Sequence, residues 1–123
     1  MCRLFIGAEE WLWESRTRSF RVEGAVTSVR LENFYWSALQ EIAARDDMTV
    51  GQLMTRLHRE AIEEGHDIAN FTSFLRVCCG RYLALIGTGE LSGSLDVPIA
   101  GVDAEAILDR ERARYREPAR SSL

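Results

Sequence analysis

Four arginines, Arg16, Arg18, Arg21 and Arg30, crowd one stretch of a chain whose fifteen basic residues are all arginine. A guanidinium is a planar fork of donors that matches the paired acceptors of a phosphate or of a guanine edge. The 123 residues nonetheless carry a net charge of −4, which argues against a binder of nucleic acid that works through overall basicity. The acids concentrate later, in Glu41, Asp46, Asp47 and the Glu60/Glu63/Glu64 cluster. Any anion recognition must therefore come from where the arginines are placed.

Other chemistries find less support. His58 and His66 stand among glutamates, but on opposite sides of Gly65 and not at helical spacing, so they read as solvated surface and no metal site is expected. Cysteines are three in number, and the neighbours Cys78 and Cys79 point in different directions on a helix. With no Cys-x-x-Cys pair they read as buried small apolar residues. The initial Met1-Cys2 resembles the start of amidotransferases, in which removal of methionine frees a cysteine nucleophile. The chain is too short for that layered fold and lacks its substrate and oxyanion motifs. No Ser/His/Asp order, phosphate loop or paired carboxylates appear either, so neither catalysis nor a cofactor is expected.

The length and 46% apolar content describe one small domain. No apolar run approaches a membrane span, and the N-terminus lacks the pattern of a secretory signal, so an intracellular, cytoplasmic protein without membrane contact is expected. Three parts are distinguished: an aromatic and basic extension (1–17), a folded unit (18–86), and a linker, short helix and polar tail (87–123).

Residues 18–31, RSFRVEGAVTSVRL, read as β throughout, with Glu23-Gly24 as either the bend of a short hairpin or a kink in one longer strand. In its second half Thr27, Val29 and Leu31 alternate against Val26, Ser28 and Arg30. The chain then enters a helix from Asn33 to Arg45, whose apolar stripe includes Trp36, Leu39 and Ile42. A second helix opens on Thr49 and Gln52 at capping-box spacing, between Met48 and Leu53 at staple positions. Its apolar face, Leu53, Met54, Leu57 and Ala61, ends at Gly65. A third helix, capped by Asn70 and running from Phe71 to about Ile86, is apolar around much of its circumference and is expected to be well buried. TGELSGSLDVPIAG follows as a linker. A charged and loosely attached helix is expected over 104–116 behind Asp103, and then the tail EPARSSL.

The strand has no evident mate, and a lone strand cannot leave its backbone groups unpaired against a core. Two copies pairing their strands across a two-fold axis would satisfy it, with Thr27, Val29, Leu31, Trp36, Leu39, Leu53 and Leu57 as the dimer core. Such a two-stranded ribbon has the width to enter the DNA major groove.

TSVRLENFYWSALQEIAARDDMTVGQLMTRL resembles the strand–helix–helix unit of ribbon-helix-helix DNA-binding proteins. It is similar in particular to a bacterial subfamily with a Thr-Ser-x-x-Leu-Glu strand (Thr27, Ser28, Leu31, Glu32). NFTSFLRVCCGRYL is similar to that subfamily's third helical segment. The resemblance implies a mainly α fold with a short strand, an intertwined homodimer with added helices, and transcriptional regulation on double-stranded DNA, with higher-order assembly there. It places base reading on Val26, Ser28 and Arg30 and a phosphate anchor on Thr49, Val50 and Gly51, where an open helix N-terminus offers amides to an anion. Arg16, Arg18 and Arg21 would track the DNA backbone. Two departures stand out: Val26 occupies a reader position expected to be polar, and Asp47 an inter-helix position that is typically glycine. The alternative is a dimeric protein-interaction module on the same scaffold, without DNA binding.

Overall fold

A computed structural model describes residues 2–116; the polar tail, 117–123, lies outside the described residues. The elements run α1 (Cys2–Ile6), α2 (Glu10–Trp13), β1 (Ser15–Val22), β2 (Ala25–Glu32), α3 (Asn33–Arg45), α4 (Val50–Glu63), a 3-10 turn (Ile68–Asn70), α5 (Phe71–Gly87) and α6 (Ala104–Arg114).

The hairpin alternative is the one adopted. β1 and β2 pair antiparallel, in register from Val22↔Ala25 to Ser15↔Glu32. Glu23 and Gly24 form the two-residue connection at φ 52° and 81°, the doubly positive geometry of a type I′ turn, for which Gly24 has the freedom and Glu23 does not. This corrects the expectation that the strand has no mate: β2 has a ladder partner, β1, in the same chain.

Most of the residues expected in a dimer core are buried within the chain itself. Val29, Leu31, Trp36, Leu39 and Leu53 are buried together with Phe20 and Val22 of β1 and Phe71, Leu75 and Cys79 of α5; Leu57 packs against them and Thr27 is half-buried. β1 and the inner face of α5 supply part of the surface that buries them.

Local signals set the helix ends. Thr49 Oγ1 accepts from the Gln52 amide at 3.1 Å while Gln52 Oε1 accepts from the Thr49 amide at 2.9 Å, a complete capping box. Helices α3, α4 and α5 each stop in a Schellman motif, with the left-handed residue at Asp47, Gly65 and Gly89 respectively. Asp47 is the odd member, held at φ 56° in a region where a Cβ is strained. Asp47→Gly is expected to raise stability by up to about 1 kcal/mol, read as a higher urea midpoint at unchanged m-value.

Three expectations fail in detail. Asn70 makes no side-chain cap; the 3-10 turn precedes α5, and Asp67 caps that turn through the Ala69 amide. Helix α5 is buried on one face only and leaves Phe74, Val77 and Leu83 exposed. The linker and α6 are tied down rather than loose. Buried Arg45 donates to the Val97 carbonyl at 2.9 Å and to Tyr82 at 3.2 Å, and Tyr82 donates to Glu41 at 2.5 Å. Burial, and then the Glu41 carboxylate, hold the Tyr82 phenol above its ordinary range, so it stays a donor. Asp46 accepts from the Ile99 and Ala100 amides, Arg81 forks onto Glu111, and Ile107 is buried.

Candidate nucleic-acid interface

Strand alternation divides the hairpin into two faces. Phe20, Val22, Val29 and Leu31 point into the core. The other parity brings Thr17 beside Arg30, Ser19 beside Ser28 and Arg21 beside Val26, all six exposed. Ser19 and Ser28 share a hydroxyl hydrogen bond of 2.9 Å across the strands. These three pairs carry two arginines, three hydroxyls and one valine, and no acid.

Val26, Ser28 and Arg30 therefore occupy the outward face, as expected. Thr17 and Ser19 were not recognised in the sequence as part of it. Their signal was Glu23-Gly24: once a two-residue hairpin is admitted, the register follows by counting outward from the turn. Arg21 shares the face and puts a guanidinium next to the apolar Val26. Arg16 and Arg18 have the opposite parity. The Arg18 guanidinium lies 5.5 Å from the centre of the Trp36 ring, and the Arg16 carbonyl accepts from Trp36 Nε1 at 2.9 Å. The three arginines of the expected backbone-tracking group are thus split between two faces.

The start of α4 adjoins the hairpin. Thr55, in its second turn, donates from its hydroxyl to the Arg21 carbonyl at 2.9 Å. The capping box engages the Gln52 amide and leaves the preceding amides of Val50 and Gly51 without intrahelical acceptors. The Val50 side chain is buried; Thr49 and Gly51 are exposed. Gly51, Gln52, Thr55, Arg56 and Arg59 line one shallow groove, with Asp47 at its end. Arg56 and Arg59 were also overlooked in the sequence; their spacing from Gly51 and Gln52 on one helical face was the available signal. Thr49→Ala removes one half of the capping box, and the expected cost is about 1 kcal/mol of stability in chemical denaturation.

Glu32, at the far end of the ribbon, is neutralised. Arg76 donates to it at 3.0 and 3.4 Å, and that hydrogen bond holds the carboxyl below its usual range. His58 corrects an expectation: it is buried between Phe20 and Phe71, with ring centroids 6.3 and 5.0 Å away, and only His66 is solvated. Its place on the inner face of α4, over the hairpin, is what draws it in. Among the described residues no three His, Cys, Asp or Glu side chains are placed to hold a metal ion. Cys78 and Cys79 are held as neutral thiols, since burial pushes them up to about 11 and about 12; Cys2, by contrast, is exposed. No described helix is long and apolar enough to cross a membrane.

Residues 15–83 match the sequence model of the ribbon-helix-helix domain. Among solved structures, the chain is similar to an uncharacterized protein from Bordetella pertussis Tohama I. The two share 42% identity at a TM-score of 0.81, over 99% of this chain and 92% of that one. No curated protein matches it.

Proposed function

The chain belongs to the ribbon-helix-helix family, and from that premise we propose that it is a sequence-specific DNA-binding transcriptional regulator that lays its β1–β2 hairpin into the major groove. Members of the family are typically DNA-binding regulators. The observation that carries the reading here is a two-stranded ribbon, of the width the groove admits, whose three outward cross-strand pairs from Arg21–Val26 to Thr17–Arg30 hold no acid. A neutral, apolar face would have favoured the interaction module; two guanidiniums and three hydroxyls favour DNA.

Ser28 and Arg30 read base edges, Thr17 and Ser19 join them, and Val26 contacts a thymine methyl. The Val50 and Gly51 amides take a phosphate at the positive end of the α4 dipole, with Arg56 and Arg59 alongside it. Arg21 stands on the ribbon face. Arg16 and Arg18 reach backbone phosphates from the flank.

In this arrangement both strands of the ribbon come from one chain and present different side chains. The sequence read by one hairpin therefore has no internal two-fold symmetry, and palindromy arises only when two copies bind side by side. Selection from random double-stranded DNA with the purified protein tests the proposal. Enrichment of a defined motif supports it. A folded protein that enriches nothing across the library overturns it in favour of a protein-interaction module.

A further inference from the structure

A cavity of about 780 Å³ lies between α5 and α6, with one end at α3. That volume falls within the roughly 300–1,000 Å³ of small-molecule sites. Tyr35, Val77, Gly80, Ala84 and Tyr115 give it a mostly apolar lining. Val77 and Tyr115 remain 58% and 62% exposed, so α6 walls the cavity without filling it. Gly80 forms its open middle. This residue stands in the interior of α5, where glycine is the poorest helix former after proline. It is not among the glycines held at positive φ, and a Cβ there would meet nothing within 4 Å. The chain's own packing therefore does not call for glycine. What the missing side chain does is keep the cavity free.

The charges on its walls limit what can enter. Every charged residue lining the cavity is already paired within the chain: Arg81 with Glu111 at 2.7 Å, Arg76 with Glu32 at 3.0 Å and Arg112 with Asp109 at 2.8 Å. An ion seated here would give up hydration and find no unpaired counter-charge in return. An uncharged molecule carries no such cost. The chemistry of the walls also favours one shape. Tyr35 and Tyr115 supply aromatic rings, and guanidinium groups stack on aromatic faces, so a flat π-system is the matching occupant.

We infer that the cavity between α5 and α6 is a binding site for an uncharged, planar aromatic small molecule. It shares no residue with the outward face of the hairpin, so the inference stands independently of DNA reading.

Titration of the full chain with N-phenylnaphthylamine, an uncharged aromatic probe whose fluorescence rises in apolar surroundings, tests it. Saturable binding of one probe per chain is expected. Gly80→Leu puts a side chain into the open middle of the cavity. It is expected to weaken binding at least about tenfold, with helical circular dichroism unchanged. Phe5→Glu, on the exposed α1, is expected to leave binding as it is. The anionic analogue anilinonaphthalene sulfonate should bind more weakly than the neutral probe. On the wild type, probe-induced NMR shift changes should centre on the Gly80 and Ala84 amides, which locates the site without any substitution. Absence of saturable binding overturns the inference. So does equal binding by a folded Gly80→Leu protein, a set of shift changes centred on α1 and α2, or tighter binding of the anionic probe. A sedimenting mass that Gly80→Leu lowers also overturns it, since a second copy would then cover the cavity.

Discussion

Leu31→Ala is expected to destabilise the protein by about 2–5 kcal/mol, the range for truncating a fully buried leucine in a packed core. Leu31 is 0% exposed and sits where the hairpin meets α3. The β2 backbone on either side is held by β1 and by the start of α3, so the cavity has little freedom to collapse. The same experiment separates two architectures. If the core closes within one chain, the unfolding midpoint of the Leu31→Ala protein does not change with protein concentration. A ribbon shared between copies would instead make the midpoint rise with concentration, since folding and association would then be one equilibrium. Urea titrations at several concentrations, followed by circular dichroism, give both numbers.

Arg30→Ala is expected to leave the fold and its stability nearly unchanged, since the side chain is exposed on the outward face opposite Thr17 and takes no part in the core. Its effect should appear on DNA. A bidentate contact to guanine O6 and N7 is worth about 1–3 kcal/mol, lost on the preferred site with relaxed specificity at one base pair. If the guanidinium holds a phosphate instead, affinity falls uniformly across sequences and the salt dependence becomes shallower by about one unit. Thr49→Ala provides the contrast: if the α4 start holds a phosphate, its loss of affinity is sequence-independent. Binding titrations on the selected motif and on single-base variants, each at several salt concentrations, distinguish these cases. Wild-type affinity in Arg30→Ala would remove this residue from the reading face.

The local elements were legible in the sequence because their causes are local. Asn33–Arg45 followed from apolar spacing, the start of α4 from Thr49 and Gln52, the α6 start from Asp103, and the outward parity of Val26, Ser28 and Arg30 from strand alternation. The departure at Asp47 was also visible, and the structure shows it in the left-handed conformation that the position demands. What the tertiary structure decided was which surfaces meet. That β2 pairs with β1 turned on a two-residue connection that reads equally as a kink. Closing the hairpin then assigned Thr17, Ser19 and Arg21 to the outward face and sent Arg16 and Arg18 to the other. His58 was invisible as a core residue because its burial comes from Phe20 and Phe71, distant in the chain. The anchoring of the linker was not legible because Arg45 and Asp46 bind it from more than 50 residues away. Periodicity reports which face of an element is apolar; only packing decides what that face is packed against.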